Sequence, residues 1–194
     1  MRPMPSGQDT SFARLVSLAA HDLRTPLATV HGFARTIQRN AELEEPLARY
    51  VEMIAAAAGH MTELLETVSL AARIESQRYE PTLIATDTLD AAREAAETLD
   101  GVQVTGTGEK VETDAGAVTR SLASFALCAR RHGGVPEVAI AVDGRTFTIS
   151  PIGAAAGILL GTELRDVGAA VAVRAIGALG GSTDVEGDAL VVRV

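Results

Sequence analysis

The chain has 194 residues, and its 17 basic against 25 acidic side chains leave a net charge of −8. That balance excludes the basic face needed to bind nucleic acid or an anionic membrane surface. The lone cysteine, Cys128, excludes an intrachain disulfide and the metal motifs built on several cysteines.

Apolar residues make up 47% of the chain but aromatics only 3%, so the core is expected to be Ala, Val and Leu in closely packed helices. The opening MRPMPSGQDT lacks the apolar stretch of a signal peptide, and no apolar run is long enough to cross a bilayer. A cytoplasmic protein with no sensor or membrane part of its own is expected.

Two long helices come first. Phe12, Val16, Ala19, Leu23, Leu27, Val30, Ala34 and Ile37 recur at spacings of three and four, as do Leu47, Val51, Ile54, Ala58, Met61, Leu65, Val68 and Ala72. This is the seam of a coiled coil or helical bundle. Asn40 reads as a stop and Pro46 as tolerable in the first turn of the second helix. The short connection makes the two helices antiparallel neighbours. One hairpin cannot bury two apolar stripes, so a homodimer completing a four-helix bundle is expected.

The pattern changes between residues 76 and 81, which divides the chain into 1–78 and 79–194. In the second part a helix is expected over 88–99, strands over 102–105 and 110–113, and a helix over 114–131. Strands over 138–142 and 146–150 flank Asp143-Gly144, a strong hairpin signal. A helix near 167–179 and a closing hairpin follow. Helices against a small mixed sheet make an α+β fold.

His21-Asp22-Leu23-Arg24-Thr25-Pro26 interrupts the first helix with polar groups. If Ala19 and Leu23 face the seam, His21 lies about 200° from each and points to solvent, with Asp22 beside it. Thr25 is one turn on, on the same side. Pro26 denies the Asp22 carbonyl its amide donor, so a kink is expected after the histidine. A carboxylate holding Nδ1–H leaves Nε2 with a free lone pair, which makes the imidazole a nucleophile. His, Asp and Thr on one exposed face are too sparse for a metal site. His31, His60 and His132 read as surface histidines.

The string HDLRTPL, with Phe12 upstream and A-x-V-x-G-F after Pro26, resembles the H-box of sensor histidine kinases. The resemblance implies that His21 is the phosphoacceptor and that Asp22 orients and deprotonates it. It implies that Thr25 positions a water for dephosphorylating a partner. The helical hairpin is then similar to the dimerisation and histidine phosphotransfer domain, a dimeric four-helix bundle.

The second part resembles the ATP-binding domain of those kinases in its order of elements, but its chemistry departs from theirs. Where the family carries two asparagines, one of them a magnesium ligand, stand Ser124 and Cys128. No Asn occurs after Asn40, so no shift of alignment recovers one. Pro151 stands at about the place of the adenine-binding aspartate and has no side-chain acceptor. AAAGILLGTELRDV is short for an ATP lid, and GAAV replaces the last glycine box.

The expected function is therefore a histidine phosphotransferase of a two-component phosphorelay, shuttling a phosphoryl group between receiver-domain aspartates without binding ATP. The partners are response-regulator receiver domains, which by the resemblance bring Mg²⁺ and a lysine; no cofactor or metal is expected in the chain itself. Arg24 would contact the phosphate or the partner, and Ala20, Thr25 and Ala28 would admit its close approach. The alternatives are an ATP-dependent kinase using Asp114, Glu112 or Asp166 as metal ligand, a pseudokinase acting as phosphatase or scaffold through Thr25, and an adaptor without phosphoryl chemistry.

Overall fold

The computed structural model describes residues 7–40, 43–97 and 99–194. The chain divides into two compact units, Met1–Arg78 and Tyr79–Val194.

The first unit is two helices, α1 (Gly7–Asn40) and α2 (Leu47–Glu75), packed along their lengths. α1 runs through Pro26 as one helix. The residues that close the seam are small: Ala13, Ala20 and Ala34 on α1 are buried, as are Ala55, Ala58 and Ala72 on α2, with Leu70 the one large side chain. Alanine lets the backbones approach closely, so the seam needs little apolar bulk.

The seam matches the expected one in part: Ala34, Ala58 and Ala72 are buried, and Val16, Leu27, Val51, Leu65 and Val68 are half-buried. Phe12, Ala19, Leu23, Val30 and Ile37 stay exposed, and so do Leu47, Ile54 and Met61 on α2. Each helix carries two stripes. The small-residue stripe joins the helices, and the large-residue stripe faces outward.

His31 belongs to the inner stripe and is not a surface histidine. It is half-buried, its Nδ1 is fully buried without a hydrogen-bond partner, and its ring lies over Gly59. α2 ends in a six-to-one closure: Arg78 N–H donates to the Arg73 carbonyl at 2.8 Å, with Gln77 in the left-handed region (φ 56°).

In the second unit the order is β1 (Ile84–Asp87), α3 (Thr88–Ala96), β2 (Val102–Gly108), β3 (Lys110–Thr113), α4 (Ala115–Gly133), β4 (Val138–Gly144) and β5 (Thr146–Ser150). A 3-10 turn (Gly153–Ala155), α5 (Ala156–Leu159), α6 (Val167–Ala178), β6 (Ser182–Glu186) and β7 (Ala189–Arg193) complete it. Five strands form one mixed sheet in the order β2-β4-β5-β7-β6, in which only β2 and β4 run parallel. β1 and β3 make a separate antiparallel pair.

Ile140, Phe147, Ile149, Leu190 and Val192 from the sheet share one core with Leu122 and Phe125 of α4 and Ile176 of α6. Thr88 is buried at the start of α3 and ties two turns to it: its hydroxyl donates to the Gly144 carbonyl at 2.6 Å and accepts from Glu109 N–H at 3.0 Å.

Candidate phosphoacceptor site

His21 lies in the middle of α1 with its side chain 74% exposed, beside Asp22 at 69%. Nδ1 of His21 is 3.3 Å from Oδ1 of Asp22. A carboxylate at Nδ1 selects the tautomer with the proton there and leaves the Nε2 lone pair facing solvent. Arg24, Thr25 and Ala28 are exposed on the same stretch. Ala20 is not: it is buried in the α1–α2 seam, so the approach of another protein falls to Thr25 and Ala28.

Although Ala19 and Leu23 do not face α2, His21 is exposed, because at about 100° per residue it lies off both stripes. The outer stripe of Phe12, Ala19, Leu23, Val30 and Ile37 runs along one side of α1, and His21 sits roughly 180° from it. A protein covering that stripe would leave the imidazole open.

Residues 13–77 match the His Kinase A (phospho-acceptor) domain. The chain is 34% identical over 70 residues to the probable sensor histidine kinase TcrY of Mycobacterium tuberculosis, a stretch covering 36% of this chain and 15% of TcrY. Over this stretch the chain is similar to sensor histidine kinases. It is also 29% identical over 123 residues to the histidine protein kinase DivJ of Caulobacter vibrioides, covering 59% of this chain and 21% of DivJ. The matched stretches thus span less than a quarter of the length of either relative.

Two solved structures share the fold. Full-length ShkA in complex with AMPPNP aligns with a TM-score of 0.64 at 21% identity, covering 92% of this chain and 44% of ShkA. The Acinetobacter baumannii histidine kinase AdeS aligns at 0.54 and 19% identity, covering 89% of this chain and 94% of that one. The helical hairpin and the five-stranded α/β unit are accordingly folds shared with those two structures. His Kinase A domains form dimers and interact with response regulators in two-component systems.

In the second unit Cys128, on α4, is fully buried in the core. Burial first, and the Asp166 carboxylate second, push its thiol up to about 12, against the opposing Arg131. It therefore stays protonated and packs as an apolar side chain. Ser124 is half-buried and faces the first turn of α6, where a Cβ on Gly168 would lie 3.2 Å from its hydroxyl. Pro151 is exposed just after β5.

Asp166, Asp188 and the pair Gly133–Gly153 carry roles that the sequence pattern left unmarked. Asp166, with its side chain 10% exposed, caps α6 by accepting from Ala169 N–H at 2.9 Å. Its other oxygen is 3.4 Å from His132 Nε2, which places His132 in an ion-pair position. The N-terminal amides of α6, which would favour an anion, thus face a carboxylate of the chain itself.

Asp188 accepts from Ile152 N–H at 3.1 Å and from Gly153 N–H at 2.7 Å, which fastens the segment after β5. That segment meets the end of α4 backbone to backbone. A Cβ on Gly133 would lie 2.2 Å from the Ile152 carbonyl oxygen, and one on Gly153 would lie 2.1 Å from that of Gly133.

Of the three carboxylates considered as metal ligands, Asp114 and Asp166 serve as helix caps and Glu112 is exposed on β3. Among the described residues no group of three or more His, Cys, Asp or Glu side chains is placed to hold a metal ion. Nor is any described helix long and apolar enough to cross a membrane.

Proposed function

We propose that the protein is a histidine phosphotransferase of a two-component phosphorelay. Nε2 of His21 attacks the phosphorus of a receiver-domain aspartyl phosphate, the P–O bond to the carboxylate breaks, and a phosphohistidine forms. A second receiver aspartate then attacks the same phosphorus and releases the imidazole. Throughout, Nδ1 keeps its proton, and Asp22 offsets the positive charge that the ring acquires when Nε2 is phosphorylated. Mg²⁺ and further cationic groups come from the receiver domain; transfer of this kind depends on in-line positioning and charge neutralisation.

The observation that carries this reading is the exposed His21 with a carboxylate 3.3 Å from Nδ1. A homodimer formed through the outer apolar stripes fits the same geometry, since that contact leaves His21 accessible.

Absence of ATP chemistry is supported by three features of the second unit: the buried Cys128, the self-capped α6, and the fastened segment after β5. An ATP-dependent kinase with a divergent nucleotide site is the second reading. It is favoured by the likeness to DivJ, which at 123 residues is longer than the phospho-acceptor match over residues 13–77.

Incubation with a radiolabelled phosphorylated receiver domain, beside radiolabelled ATP and Mg²⁺, tests the proposal. Acid-labile label from the receiver and not from ATP, absent in His21→Ala, is the expected result. Label from ATP that His21→Ala removes supports the kinase. Regulator binding or dephosphorylation that survives His21→Ala, without label, supports a scaffold or a phosphatase acting through Thr25.

A further inference from the structure

The second unit opens with a segment that is held differently from the rest of the domain. Residues 80–85 are all exposed, including the large apolar side chains of Leu83 and Ile84 at 55% and 53%. β1 pairs only with β3, over four residues, and adds no strand to the five-stranded sheet. A two-stranded ladder of that length is marginal by itself in water.

One carboxylate joins this segment to the start of α4. Asp114 Oδ2 accepts from the Tyr79 hydroxyl at 2.8 Å and from Thr82 N–H at 3.2 Å, while its Oδ1 caps α4 by accepting from Ala117 N–H at 3.0 Å. Burial of Asp114 works against its charge, but these three donors and the nearby Arg120 outweigh it and hold the carboxyl below its ordinary range. The group is therefore the charged acceptor that the arrangement needs.

We propose that residues 79–83 form a releasable strap, latched to the start of α4 by the Tyr79–Asp114 hydrogen bond, that opens without unfolding the domain. Residues 80–83 of the strap are exposed, which is the condition for local opening well below the global stability. On the other side of the boundary, α2 ends in the closed turn at Arg78. Opening the latch thus frees five residues, which fully extended span about 17 Å, next to the boundary between the two units. A phosphotransfer protein that must engage two different receiver domains would use such slack. The strap itself does not rest on that function and can be tested apart from it.

The test is amide hydrogen exchange, read by NMR on the full chain, for Thr82, Ala117 and Phe125. In the unsubstituted protein Thr82 is expected to exchange at least tenfold faster than Phe125. Tyr79→Phe should speed Thr82 about tenfold further and leave Phe125 unchanged. Asp114→Asn, which keeps an acceptor for the α4 cap, should speed Thr82 more than Ala117. Exchange of Thr82 and Phe125 at one common rate, or an equal acceleration of both by Tyr79→Phe, overturns the proposal. Phosphotransfer through His21 is measured separately, so its failure leaves this result standing.

Discussion

Oδ1 of Asp22 stands 3.3 Å from Nδ1 of His21 on a fully solvent-facing stretch of α1. Because both side chains are exposed, neither is needed for packing, and the pair can be altered without altering the fold. Asp22→Ala is expected to slow phosphoryl transfer to His21 roughly 10²-fold, the low end for removing one group that stabilises charge developing in the transition state. Its melting temperature should stay within about 2 °C of the parent. Stopped transfer assays beside thermal denaturation check this. A parallel loss of stability would mean that the carboxylate acts on the helix instead.

The two apolar stripes predict an assembly. Leu23 and Val30 lie on the outer stripe of α1, exposed in one chain although large and apolar. Leu23→Glu with Val30→Glu places charges on that stripe without touching the α1–α2 seam. Sedimentation velocity should show a dimer for the parent and a monomer for the double variant. A dimer that persists would place the contact elsewhere.

Gly59 sits inside α2, where glycine costs about 1 kcal/mol relative to alanine. A Cβ there would meet only the His31 ring, at 3.7 Å and 3.9 Å, which is ordinary contact. Gly59→Ala should therefore stabilise the hairpin by roughly 0.5–1 kcal/mol. A urea titration followed by helical circular dichroism checks it. Destabilisation would show that the approach of His31 to α2 has no slack.

The coiled-coil spacing made the two helices legible, but it could not say which of two stripes closes the seam. Both repeat every three or four residues, and the choice follows from side-chain size. Alanines at 13, 20 and 34 admit the partner helix, and larger residues at 12, 23 and 30 are left outside. His31 is hard to place from sequence for the same reason, since an isolated polar residue looks like surface until the inner stripe is known.

In the second unit the alternation of Val138, Ile140 and Val142, and of Phe147 and Ile149, marked β4 and β5 directly. β1 went unseen because its four residues are half exposed and alternate in nothing. The expected helix over 88–99 ends at Ala96. His21 and Asp22 were readable because they are neighbours in sequence. The contacts of Asp166 with His132 and of Asp188 with Gly153 join residues distant in the chain, and no local pattern announces them.

Asp114 makes the second unit sensitive to acid. Its folded-state pKa lies below the ordinary 3.8, so the stability it contributes is complete above that value and is lost as pH falls through the folded value. Asp114→Ala should cost about 1 kcal/mol or more at pH 7, as expected for losing a helix cap. The difference from the parent should shrink steadily below pH 3.8. Denaturant titrations at several pH values test this. A difference that persists unchanged into strong acid would rule out the charged latch.

In the proposed function His21 receives its phosphoryl group from a receiver aspartate and not from ATP. The most direct measurement compares acid-labile label on the protein after exposure to radiolabelled ATP with Mg²⁺ and after exposure to a radiolabelled phosphorylated receiver, each with His21→Ala beside it. Label from the receiver alone, lost in the variant, is the expected result. Label from ATP that disappears with His21→Ala would contradict it and establish a kinase.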